Sequence, residues 1–227
     1  VDWNVDSVVA ELRKLSSKRV RDGMARFALP SDNALGVAVG DIRRLGKRIG
    51  RNHALALALW KRDIYEARML AALIAEPERI TPTQMDRWCR DFDSWGICDT
   101  LCFHLFDKTP HAWAKIAQWS DDRREFVKRA AFALLASVAG HDKSATDRQF
   151  HGTFPLIERA ANDGRNFVKK GVSWALRGIG HRNRALNRAA VELAQRLAGS
   201  EDPAARWIGK DALRDVTRPA LLRRLRH

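Results

Sequence analysis

Apolar residues recur along this chain at intervals of three and four, while two-residue alternation is rare and β-branched runs are absent. That periodicity predicts an all-α protein. Residues 4–17, NVDSVVAELRKLSS, set Val8, Val9, Leu12 and Leu15 on one side behind Asn4 as a candidate cap. Residues 18–28 continue with Val20, Met24 and Phe27, and PSDNALG at about 30–36 breaks the pattern. A short basic helix is predicted at about 40–50, followed by apolar helices at 52–63 and 65–76. Thr81-Pro82, Thr109-Pro110 and Asp202-Pro203 each read as an N-cap followed by a first-turn proline. They predict helices to about 92, 119 and 215. Further helices are predicted at 94–106, from Asp121 or Asp122 to about 139, from Ser144 to about 161 with Pro155 as a kink, at 165–180, and at 184–198. Thr217 and Pro219 open a short basic tail.

Taken in twos, these elements give units 82–106, 110–139, 144–180 and 184–215. Tandem helical hairpins with short loops predict an α-solenoid of HEAT-like type, one domain over 1–227, in which 36–227 are repeats and 1–35 are N-terminal helices. In such a stack the second helix of each pair lines one side, commonly the concave one. The expectation is therefore a concave basic face.

Four side chains on those second helices are unusual. Trp95 and Asp99 lie one turn apart at the margin of the Ile97, Leu101, Leu105 stripe. Arg129 falls roughly 160–180° from the Val127, Ala131, Leu134, Val138 stripe, with Ala133 and Ala136 leaving room beside it. Trp174 stands roughly 140° from the centre of the Val168, Val172, Ala175, Leu176, Ile179 stripe, among Lys170, Gly171, Arg177 and Gly178. A large aromatic off the apolar stripe either meets a second helix or meets a ligand, and this helix alone leaves both readings open.

The charge balance narrows the partner. The net charge is +14, and residues 114–227 hold 23 Lys+Arg against 12 Asp+Glu, compared with 18 against 15 in residues 1–113. Such a surplus favours a polyanion, with nucleic acid ahead of an anionic membrane. Lys128, Lys169, Lys170, Arg177, Arg182, Arg184, Lys210 and Arg214 are the candidate phosphate contacts. Trp207 runs with Lys210 and Arg214 at helical spacing. The bland alternative is a solvated face. Cys89, Cys98 and Cys102 are odd in number and match no zinc spacing, so neither a disulfide framework nor a metal is expected, and a reducing compartment fits. No stretch reads as a signal peptide or as a membrane span. The expected location is the cytoplasm, at the nucleoid in a bacterial source, and the expected state is a monomer.

A carboxylate amid so much positive charge asks for a reason. Asp99 either holds Arg129 in a structural ion pair or faces a cation in the ligand. Breaking an N-glycosidic bond passes through an oxocarbenium-like sugar, which a fixed carboxylate and two indole faces stabilise. An alkylated purine already carries positive charge and leaves without a protein acid.

The ordered set GVAVGDIRRLGK, SWGICD, FVKRAAFAL and GVSWALR, from about Gly36 to Arg177, resembles the AlkD-like DNA alkylation repair glycosylases, which are built of HEAT-like repeats. That resemblance implies a monofunctional enzyme without cofactor that releases cationic N3- and N7-alkylpurines from double-stranded DNA, and does so without a base-binding pocket, unlike enzymes that flip the base. It implies that Trp95 and Trp174 cradle the deoxyribose, that Asp99 stabilises the sugar cation and helps place water, and that Arg129 contacts the backbone near the lesion. Gly96 departs from the pattern, as relatives often carry an acidic residue directly after the Trp, and a glycine there weakens a helix start by roughly 1 kcal/mol relative to Ala. Two other readings remain: a non-catalytic HEAT-like protein for branched or distorted DNA, and a protein-interaction scaffold.

Overall fold

The computed structural model describes residues 2–225, in which every regular element is helical. The chain divides between Thr109 and Pro110 into two compact units.

The first unit holds α1 (Val5–Lys14), α2 (Lys18–Gly23), α3 (Val39–Ile49), α4 (His53–Trp60), α5 (Tyr65–Ile74), α6 (Pro82–Arg90) and α7 (Trp95–His104). Asn4 caps α1 as its position predicts, with Asn4 and Ser7 each accepting the other's backbone N–H. The stretch after α2 does not continue as a helix. Gly23 ends α2, a four-residue 3₁₀ turn follows, and Phe27 is left 65% exposed instead of joining an apolar stripe.

At the centre lies α5, packed on α3, α4 and α7. It is apolar nearly all round, as a helix enclosed by others must be. Its charged exceptions are Arg68, half-buried, and Glu66 in its first turn, which is 1% exposed. Its carboxylate accepts the backbone N–H groups of Leu35 (2.9 Å), Gly36 (2.7 Å) and Val37 (3.1 Å). The loop can offer three successive donors because Gly36 sits at φ +80°, in the left-handed region. One buried charge therefore ties the 35–37 loop to the middle of the unit.

The second unit holds α8 (Ala112–Trp119), α9 (Glu125–His141), α10 (Asp147–His151), α11 (Phe154–Ala160), α12 (Asn166–Gly180), α13 (Arg184–Ala198), α14 (Pro203–Val216) and α15 (Pro219–Arg224). Helix α8 packs on α9, α11 on α12 and α13 on α14, while α12 lies against both α9 and α14. The hairpins repeat in one register. Arg129–Phe167, Asp121–Arg159, Glu158–Arg196 and Ser173–Asp211 are hydrogen-bonded partners in neighbouring repeats, each 38 residues apart.

Three boundaries differ from the sequence expectation. The helix expected at 144–161 is two helices, because Pro155 lacks an N–H and falls in the first turn of α11. Its first half begins with the capping box Thr146–Gln149 and not at Ser144. The helix expected from Asp121 or Asp122 begins at Glu125, since Asp122 accepts the Arg124 N–H (2.8 Å) in a turn ahead of it. Helix α8 begins at Ala112, because the Thr109 hydroxyl donates to the Phe106 carbonyl (2.8 Å) instead of capping.

Glu66→Ala strands three backbone donors in or beside the core. An unmet buried donor costs about 1–3 kcal/mol, so we expect a loss of roughly 2–4 kcal/mol in urea unfolding, allowing for water reaching the opened loop.

Candidate nucleic-acid interface

In the first unit, α7 opens on Trp95, and its Ile97, Cys98, Leu101 and Cys102 are buried. Trp95 and Asp99 are half-buried, one turn apart at the margin of that stripe. The Trp95 indole is held in place: its Nε1 donates to the Phe27 carbonyl at 2.7 Å. Gly96, the departure noted in the sequence, has a packing reason. It is buried, and a Cβ there would overlap the Tyr65 hydroxyl and approach Leu29 Cδ2 to 2.9 Å. Tyr65 itself is 7% exposed. Burial pushes its hydroxyl well above the usual tyrosine range, and the charges of Glu66, Asp93 and Asp99 push the same way. The ring thus stays neutral beneath the start of α7. Cys89, Cys98 and Cys102 are buried free thiols, and burial followed by the Cys98 hydrogen bond raises Cys102. Among the described residues, no group of three or more His, Cys, Asp or Glu is placed to hold a metal ion.

In the second unit, Arg129 and Trp174 lie on the neighbouring helices α9 and α12. The far face of α9 is not open, contrary to the expectation that Ala133 and Ala136 leave room there. Both alanines are buried, and α12 packs over that side. The seam is close: a Cβ at Gly171 would make ordinary van der Waals contact with Arg129 and Phe132, and one at Gly178 with Ala136 and Ala139, each at about 3.5–3.6 Å. Arg129 is 6% exposed, with its stem beside Gly171 and its Nη1 donating to the Phe167 carbonyl at 2.8 Å. Around α12, Trp174 therefore has a glycine flank facing α9 and a cationic flank facing α14. The ring remains half-buried between the two.

Asp211 organises the cationic flank. It accepts the Ser173 hydroxyl (2.6 Å) and an Arg214 N–H (2.7 Å), and lies 3.7 Å from Arg177 Nε. Lys169 Nζ sits 4.7 Å from the centroid of the Trp207 ring, which is 37% exposed. The candidate phosphate contacts divide on this basis. Lys170, Arg184, Lys210 and Arg214 are exposed, while Lys169 and Arg177 are half-buried. Lys128 pairs with Asp163 at 3.1 Å. Arg182 is engaged inside the fold, donating to the carbonyls of Ala139, Asp142 and Ala145 and lying over the Phe150 ring. Sequence reasoning passed over Tyr65, Glu66, Asp163 and Asp211, which position the others.

A profile of the DNA alkylation repair enzyme family matches residues 8–216. The chain belongs to the DNA alkylation repair enzyme family. A solved structure from a new family of proteins related to the HEAT-like repeat DNA glycosylases, with affinity for branched DNA structures, superposes with a TM-score of 0.79 at 19% identity, covering 93% of this chain and 95% of that one. The fold is thus of the HEAT-like helical-repeat kind. A designed armadillo repeat protein bound to a (KR)4 peptide aligns over 93% of this chain and 94% of its own, at 14% identity with a TM-score of 0.47. A curated protein named carbamoyl phosphate synthase small chain, from Rhodopirellula baltica, is 24% identical over 149 residues, which is 62% of this chain. The chain spans about a third (36%) of that relative's length. No helix among the described residues is long and apolar enough to cross a membrane.

Two outcomes test this geometry. Gly96→Ala is expected to destabilise by about 1–3 kcal/mol through overpacking, and adding Tyr65→Phe, which removes the clashing oxygen, is expected to recover part of that loss in a double-mutant cycle. Asp163 is held below the usual carboxylate range, first by the Arg165 hydrogen bonds, against the opposing effect of burial, and then by Lys128. A depressed folded pKa contributes stability that is present above the unfolded value near 3.9 and is lost as pH falls toward the folded one. Asp163→Asn should therefore cost about 1–2 kcal/mol at pH 7, given solvent screening, and the gap to wild type should shrink steadily below pH 4.

Proposed function

We propose that this protein is a monofunctional DNA glycosylase that hydrolyses the N-glycosidic bond of cationic N3- and N7-alkylpurines in double-stranded DNA, without a cofactor and without a base-binding pocket. The observation that carries the reading is the half-exposed Asp99 one turn from a half-exposed Trp95 whose ring is fixed by the Phe27 carbonyl. Membership of the repair family supports it. So does the retention of all four expected residues, Trp95, Asp99, Arg129 and Trp174.

In the proposed reaction the C1′–N bond breaks and its electron pair passes to the alkylpurine, which leaves neutral. The Asp99 carboxylate stabilises the sugar cation left behind, with the Trp95 face against the deoxyribose; the family resemblance gives Trp174 a part at the same sugar. Water adds at C1′ and gives up a proton, with Asp99 orienting it, to leave an abasic sugar. Arg129, buried with its Nη1 on Phe167, supports the surface beside the lesion from beneath. Phosphates are met by Lys170, Arg184, Lys210 and Arg214, which are exposed, with Lys169 and Arg177 beside them. Lys128 and Arg182, bound inside the fold, support the surface. The protein works as a monomer at the DNA, in the cytoplasm of a bacterial source.

A second reading, non-catalytic binding of branched DNA, is favoured by the affinity attributed to the structural neighbour. The experiment is release of free base from a methylated duplex. Asp99→Asn should slow release by about 100-fold or more while leaving DNA affinity in place. Trp174→Ala should slow excision more than it weakens binding, since a ring that only docks DNA would lose both equally. No release from any alkylated duplex, with salt-dependent binding of branched DNA, would overturn the glycosylase reading and leave the second.

A further inference from the structure

A cavity of about 540 Å³ opens in the first unit among α4, α5 and α6, sharing no lining residue with Trp95 or Asp99. Its size falls within the usual range for small-molecule sites. The floor is aromatic: Trp60 and Trp88 stack at 4.4 Å and 13°, with both rings almost wholly buried. Asp91, the acid in the lining, is taken up by the Trp60 Nε1 hydrogen bond at 2.8 Å. Three cations line the walls, Lys61, Arg68 and Arg87, and two of them, Lys61 and Arg87, are exposed at the mouth.

Two further features ask for an acceptor. Arg68 Nε and Gln84 Nε2, on lining side chains, are buried donors without a hydrogen-bond partner. A donor left unmet in this way is costly, and an oxygen-bearing ligand that lets either side chain turn toward it relieves that cost. The N-terminal end of α6 is in the same wall through Thr81 and Thr83, and adds partial positive charge. Arg68 meanwhile lies 5.3 Å from the Trp60 ring centroid and pairs at 2.9 Å with the exposed Asp63, a partner that an incoming anion would compete with.

We propose that this cavity binds a phosphate group, carried either by a free mononucleotide or by a DNA backbone. A phosphate matches the pattern of donors and cations, because three cations outnumber the one acid in the lining, and the aromatic floor accepts the apolar edge of an attached sugar or base. The proposal does not rest on the glycosylase reading, because binding in the cavity is measured without any base release.

The test is calorimetric titration of the full chain with inorganic phosphate and with deoxyadenosine 5′-monophosphate, alongside the salt dependence of duplex DNA binding. The comparison is Lys61→Ala/Arg87→Ala, two exposed positions whose loss leaves the fold intact, as a thermal melt verifies. Saturable binding of phosphate or mononucleotide, weakened about tenfold or more in the double variant, supports the free-nucleotide source. Silence with both small probes, together with a slope of log affinity on log salt reduced by about one in the double variant, supports the backbone source. The proposal is overturned if the small probes bind equally well to both proteins, or if they do not bind and the salt slope is unchanged.

Discussion

The second unit depends on how closely α12 can lie along α9. Gly171 and Gly178 remove two Cβ atoms from the seam, and the alanines opposite keep the other side small. That contact buries α9 on nearly every side, encloses the Arg129 stem, and leaves Trp174 half-buried. Side chains larger than alanine at Gly171 or Gly178 would push α12 outward and carry with it the ladder linking Ser173, Arg177 and Lys169 to α14. The electrostatic arrangement is thus set by steric spacing.

Charge is distributed with similar economy. The surplus of cations suggests an open positive surface, yet the acids of the second unit hold a good part of it in fixed positions. Asp163 grips Arg165 and Lys128, and Asp211 takes Ser173 and Arg214 with Arg177 nearby. A cation held by an acid at the rim keeps its orientation, which lowers the entropy lost when a phosphate arrives. Lys170, Arg184 and Lys210 stand outside these clusters and are the more adaptable members.

What could be read from the sequence follows from range. Caps formed within three residues, at Asn4, Thr81 and Asp202, were legible because donor and acceptor lie in one short stretch. The stripes of α7 and α12 were legible because one face dominates each. The far side of α9 was misjudged because alanine is ambiguous: a row of small residues marks either an open surface or a second contact, and only the partner helix decides. Arg182 reads as a surface cation, but the carbonyls that hold it come from around the preceding turn, 37–43 residues away. Glu66 carries a signal of its own, a lone acid in the run YEARMLAALI, whose other charge is Arg68. The Tyr65–Gly96 fit carried none, since it joins two positions with no shared pattern.

The 38-residue register has a mechanical consequence. Each hairpin of the second unit rests chiefly on its immediate neighbours, so cohesion passes from one to the next as in a short stack. Helix α12 packs on α9, α11, α13 and α14, so it is held by both neighbouring hairpins. Opening α12 therefore means breaking contacts on both of its flanks, and local unfolding reaches it late. The fold thereby ranks its own surface, with its firmest part around Trp174.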